Sequence, residues 1–94
     1  MQKEELYTCP CCGYKTLEDG NPGSFEICSI CYWENDNVQF DEPFYEGGAN
    51  RVSLYEAQRN FIEFGACNKE SIDSVRKPTP LDKKDPNFKL IERV

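Results

Sequence analysis

The feature that most restricts how this chain can fold is a repeated cysteine pair, Cys9-Pro10-Cys11-Cys12-Gly13 followed by Cys28-Ser29-Ile30-Cys31. Two residues separate Cys9 from Cys12 and Cys28 from Cys31, and 15 residues lie between the pairs. That is the spacing of a four-thiolate zinc site. Two intervening residues let the backbone turn tightly enough to aim both sulfurs at one point while N–H groups face them. Gly13 suits the position after the first turn, because positive φ costs glycine little. The expected ligands are Cys9, Cys12, Cys28 and Cys31, closing a tetrahedron about 2.3 Å from one zinc ion per chain. Four thiolates leave no open coordination position, so the ion is expected to be structural and not a Lewis acid or water activator.

Such a staple matters because the chain has only 94 residues, 38% of them hydrophobic. A chain of this length buries only about 60–65% of its unfolded surface, which leaves a thin core. One domain is expected over residues 1–94: a zinc-knuckle hairpin module at 1–40, a loop and helices packed on it at 41–80, and a charged tail at 81–94. Histidine is absent. That removes Ser-His-Asp and Cys-His catalysis and any imidazole proton shuttle, so a non-enzymatic protein is expected. The first residues are acidic where a signal peptide needs a basic region, and no stretch approaches about 18 apolar residues. The expected location is therefore cytoplasmic, with no membrane association. In a reducing compartment, closely spaced cysteines serve as metal ligands more often than as disulfides.

The spacing predicts an α+β fold. Tyr14-Lys15-Thr16-Leu17 and Ser24-Phe25-Glu26-Ile27 are short β-tolerant runs around a turn-rich stretch from Glu18 to Gly23, and read as a hairpin joining the two cysteine pairs. Residues 35–50 carry too many breakers for a long regular element. The main helix is expected at 53–64, with Ser53 and Glu56 as a capping box, Leu54, Ala57, Phe61 and Phe64 on one face, and Gly65 closing it. A shorter helix from Asn68 to Arg76 ends before Pro78 and Pro80. After Leu81 only Phe88, Leu90, Ile91 and Val94 interrupt the charges, and they either dock as a strand or last turn or stay loose.

Several residues admit a second use. Cys9, Cys12, Gly13 and Tyr14 resemble the first knuckle of rubredoxin, so iron and electron transfer are the alternative at the same ligands. The second knuckle departs from that pattern, with Tyr32 where a glycine usually stands. Cys11 and Cys67 are additional thiols: Cys67 reads as a buried small hydrophobe and Cys11 as an exposed knuckle tip, with a redox-sensitive pair or a substitute for a primary ligand as the sharper readings. Gly47-Gly48-Ala49-Asn50 before a helix could cradle phosphate, but lacks the Gly-Lys-Ser/Thr of a P-loop, and a glycine bend explains it as well. Residues 1–50 hold two lysines against ten carboxylates, whereas residues 51–94 hold nine Lys/Arg against seven. The acidic half repels nucleic acid and suits a basic protein partner, and a nucleic-acid-binding zinc ribbon is the weaker alternative. The expected partner surface is Tyr32, Trp33, Glu34, Asp36, Asp41 and Glu42, although packing over the metal site or the helix is the more ordinary use for its aromatic residues. No small-molecule substrate is expected.

The segments Cys9-Pro10-Cys11-Cys12-Gly13-Tyr14, Ile27-Cys28-Ser29-Ile30-Cys31-Tyr32-Trp33-Glu34, Gly47-Gly48-Ala49-Asn50 with Ser53-Leu54, and Phe64-Gly65-Ala66-Cys67 resemble the cysteine-rich CPCC-domain proteins of bacteria. The resemblance spans about residues 7–80 and implies a short zinc-binding protein of uncharacterised role. It also places Cys67 within the family pattern.

Overall fold

Each cysteine pair sits at the tip of its own antiparallel turn. In the computed structural model, which describes residues 6–92, strands β1 (Tyr7–Thr8) and β2 (Lys15–Leu17) flank the first pair. Tyr7 lies opposite Leu17 and Thr8 opposite Lys15, with an irregularity between Tyr7 and Thr8. A single antiparallel bridge, Ile27 to Glu34, flanks the second pair. The result is a small α+β module with a two-stranded hairpin, but the expected pairing of 14–17 with 24–27 does not form. Each turn closes locally on its own flanks. The two segments are joined instead by a side chain, the Glu26 carboxylate accepting from the N–H groups of Glu18 and Asp19 at 2.9–3.1 Å.

The breaker-rich stretch contains one short helix, α1 (Asn37–Asp41), which Asp36 caps by accepting from Val38 N–H at 2.8 Å and Gln39 N–H at 3.4 Å. The main helix, α2 (Leu54–Phe64), follows its sequence signals. Ser53 Oγ accepts from Glu56 N–H at 3.1 Å, Leu54 and Ala57 are buried, and Gly65 ends the helix at φ 85°. Phe61 is half-buried, its ring edge-on to Tyr14 at 6.5 Å. The second helix is shorter and tighter than expected, a 3₁₀ helix over Lys69–Ser74 whose Asn68 makes no side-chain cap bond.

The tail docks on the first knuckle. Tyr14 bridges Lys84, Lys15 N–H donates to the Lys83 carbonyl at 2.8 Å, and Asp85 N–H donates to the Gly13 carbonyl at 2.9 Å. Thr8 Oγ1 donates to Asp85 at 2.6 Å, and the Phe88 ring lies over Gly13. Gln58 on α2 ties these parts together, its amide donating to the Pro10 carbonyl and accepting from Ile91 N–H, both at 2.8 Å. The acidic start at residues 1–5, and Arg93 and Val94 of the tail, lie outside the described residues. Among the described residues no helix is long and apolar enough to cross a membrane.

Candidate metal centre

The two knuckles repeat one backbone design. Cys9 N–H donates to the Tyr14 carbonyl at 2.9 Å and Gly13 N–H returns to the Cys9 carbonyl at 2.9 Å. In the second knuckle Cys28 N–H donates to Trp33 at 3.0 Å and Tyr32 N–H returns to Cys28 at 2.8 Å. Gly13 and Tyr32 therefore occupy equivalent positions, and both are left-handed, at φ 82° and 73°. Tyr32, whose sequence breaks the glycine pattern, takes the conformation anyway, at a cost of about 1–2 kcal/mol for an L-residue. A good site does not need glycine twice.

This duplication brings four sulfurs together. The Sγ atoms of Cys9, Cys12, Cys28 and Cys31 all lie within 4.8 Å of one another, and all four residues are buried. Cys9 and Cys31 sulfurs are 3.6 Å apart, and those of Cys12 and Cys28 are 3.7 Å apart. A tetrahedron with metal–sulfur arms of about 2.3 Å has edges of about 3.8 Å, close to these two separations, so the donor set suits one ion. The four cysteines are positioned to bind a metal.

Electrostatics point the same way. Burial pushes the Cys9 and Cys31 thiols well up from their ordinary range. Cys28 is driven down because Cys12, Cys31 and Cys9 share their protons with it and Thr16 Oγ1 donates to its sulfur at 3.0 Å. In a buried cluster of this kind a bound cation is what favours the thiolate form. Ile30 N–H also faces the Cys28 sulfur, at 3.4 Å.

The family model for cysteine-rich CPCC proteins matches residues 7–82. The chain belongs to the cysteine-rich CPCC family. A search of curated proteins finds no match.

The other candidate residues divide. Cys11 and Cys67 are buried in the same core as the four ligands, so Cys11 does not stand exposed at the knuckle tip as its place in the turn suggests. Tyr32, Asp41 and Glu42 are exposed and Glu34 is half-buried, but Trp33 and Asp36 are not surface residues. Trp33 is 0% exposed and fills the core between the second knuckle and its surroundings, and Asp36 is spent on capping α1 and on Ala49 N–H, at 2.7 Å. The exposed apolar groups in this region are instead Val38, Phe40, Phe44 and Tyr45, interspersed with Asp41, Glu42 and Glu46.

The Gly47–Asn50 bend is structural. Asn50 N–H donates to Gln39 and its side chain bridges Glu34, accepting from the N–H and donating to the carbonyl, both at 2.8 Å. A Cβ on Gly48 would meet Asp36 and Gln39 at 2.6 Å. The backbone N–H groups of Ala49 and Asn50 point inward, which leaves them engaged and closes the phosphate reading. Sequence reasoning missed Gln39, Asn50 and Gln58.

Proposed function

We propose that this protein holds a structural zinc ion through Cys9, Cys12, Cys28 and Cys31 and works as a non-catalytic interaction module. The observation that carries the zinc reading is the closed set of four buried sulfurs at tetrahedral spacing. A closed thiolate set stabilises a fold and offers substrate no coordination position. The interaction surface is the exposed segment from Val38 to Glu46, where Phe40, Phe44 and Tyr45 alternate with Asp41, Glu42 and Glu46. Aromatic residues ringed by carboxylates suit a basic protein. An inhibitor that covers the basic site of a toxin, as immunity proteins do, is one concrete form of this role, and it rests on analogy.

The test begins with native mass spectrometry and metal analysis of protein purified without added metal. Bound zinc, lost together with the fold in Cys28→Ser, supports the reading; a folded protein without metal sinks it. For the surface, D41K/E42K/E46K should keep its zinc and lose its partner. The repeated knuckle geometry also supports iron as a second reading, since it matches the rubredoxin-type design. A red protein with thiolate-to-iron absorption would establish it.

A further inference from the structure

The four cysteines of the metal centre are each at most 1% exposed, so an ion reaches or leaves their sulfurs only when some part of the cover moves aside. The two knuckles are covered differently. The second is held by chain within the family-matched stretch: Cys67 N–H donates to the Cys31 carbonyl at 2.8 Å and Arg76 N–H to the Ser29 carbonyl at 3.2 Å. Over the first lies the tail from Lys83 onward, outside that stretch. A cavity of about 270 Å³ is lined by Cys11 and Cys12 of the first knuckle together with Lys84, Phe88 and Leu90 of the tail.

We propose that the tail from Lys83 to Ile91 is a detachable strap that gates the passage of metal between solvent and the four-cysteine centre. This rests on the zinc reading and adds to it the route the ion takes. Lifting the tail opens the cavity to solvent beside the ligand Cys12, while each knuckle keeps its own turn.

The fastenings of the strap are directional but shallow. Its backbone bonds are Lys15 N–H to the Lys83 carbonyl at 2.8 Å and Asp85 N–H to the Gly13 carbonyl at 2.9 Å. Thr8 Oγ1 donates to Asp85 at 2.6 Å, and Ile91 N–H to Gln58 at 2.8 Å. Yet no residue from Lys83 to Glu92 is buried: Asp85, Phe88 and Ile91 are half-buried and the rest are exposed. Few buried apolar contacts and backbone bonds near solvent are what place a segment's local opening below global unfolding. The knuckle beneath has the opposite character. Cys9, Cys11 and Cys12 are buried, and the bonds that close the turn, Cys9 N–H to Tyr14 and Gly13 N–H to Cys9, do not involve the tail. The turn before the tail stays behind when it lifts, because Arg76 pairs with Asp82 at 2.8 Å and is held to Ser29 through its own N–H.

The test follows zinc passing from the full-length protein to an excess of chelator, and back, in wild type, Phe88→Ala and D85A/F88A. Gly65→Ala serves as control, since its added Cβ meets nothing within 4 Å and acts through the backbone alone. A strap closed about nine-tenths of the time or more slows exchange about tenfold or more. The strap variants should therefore lose and take up zinc at least about tenfold faster with equilibrium affinity unchanged, and Gly65→Ala should stay near wild type. Unchanged rates in the strap variants overturn the proposal and leave the zinc reading intact. Equal acceleration in Gly65→Ala also overturns it, because general loosening then explains the effect. Faster loss without faster uptake overturns it too, since the tail would then stabilise the bound state and not gate it. Protein that takes up no zinc removes the zinc reading itself. Should the strap variants fail to fold, amide hydrogen exchange in zinc-loaded wild type decides. Amides of Lys15, Asp85 and Ile91 that exchange together, and faster than those of Gly13 and Tyr32 that close the knuckles, support the strap; one common rate refutes it.

Discussion

Gly13 and Gly65 offer a controlled comparison of what a side chain costs in this fold. Both are left-handed, at φ 82° and 85°, but their surroundings differ. A Cβ on Gly65 would meet nothing within 4 Å, whereas one on Gly13 would sit 2.6 Å from Phe88 Cδ2 and 2.7 Å from its Cγ. Backbone conformation alone costs an L-residue about 1–2 kcal/mol, offset by about 0.4–1 kcal/mol because alanine stiffens the unfolded chain. Gly65→Ala should therefore cost about 1 kcal/mol. Gly13→Ala carries the same backbone cost, as Tyr32 shows the knuckle can absorb it, and adds displacement of a packed ring, worth about 1–3 kcal/mol. For a domain of this size each kcal/mol lowers Tm by about 4–8 °C. The assay is thermal unfolding at one fixed zinc concentration, since bound metal contributes to apparent stability. In a Phe88→Ala background the excess cost of Gly13→Ala should vanish, leaving the two alanine variants alike. Equal costs for Gly13→Ala and Gly65→Ala in the parent protein would refute the reasoning and show that the tail does not bear on the knuckle.

Trp33 is the single tryptophan and is 0% exposed, so its emission should be blue and shielded from iodide. Stripping the metal with a strong chelator should shift it to the red, because zinc binding of about 10–16 kcal/mol exceeds or matches the whole stability of a small domain; unchanged emission after verified metal loss would contradict a structural ion. Gln58→Ala strands the Pro10 carbonyl and Ile91 N–H, and should cost about 2–6 kcal/mol in denaturant unfolding at about 1–3 kcal/mol per unpaired group. Metal affinity should fall steeply on acidification. Burial raises Cys9 and Cys31, so the metal-free fold favours neutral thiols, a contribution complete below the ordinary thiol range and lost as pH rises through the raised values. Zinc must displace those protons, and chelator competition between pH 6 and 8 should show log affinity dropping by about two to four per pH unit. A flat profile would mean the thiols are not the ligands.

What could be read in the sequence was what local chemistry alone decides. Cys-x-x-Cys turns, the Ser53 cap and the Gly65 stop each depend on residues within one turn of each other, and they stand where spacing put them. Strand pairing was not legible in the same way. Residues 14–17 can pair with either neighbour on propensity alone, and the choice of Tyr7–Thr8 follows from the knuckle closing on itself. The tail was opaque for a related reason. Its docking rests on backbone bonds from Lys83, Lys84 and Asp85 and on Phe88 covering a glycine some 75 residues away, none of which leaves a periodic trace. Trp33 and Asp36 misled because their composition suits a surface, and only the second knuckle and the α1 cap turn them inward.

The core itself argues for why the metal site is inseparable from the fold. Of the eleven buried residues in the central cluster, six are the cysteines, and only Leu17, Ile30, Trp33, Leu54 and Ala57 accompany them. Sulfur is small and weakly hydrophobic beside leucine or phenylalanine, so this cluster yields little through burial alone. Several elements nonetheless converge on it: the first knuckle and β2 through Leu17, α2 through Leu54 and Ala57, and the segment after α2 through Cys67. A conventional core would release its surface features when trimmed one residue at a time. Here the elements that meet at the cysteines would share one set of metal–sulfur bonds when an ion is held, so losing one ligand should loosen the two knuckles, α2 and the segment after it together.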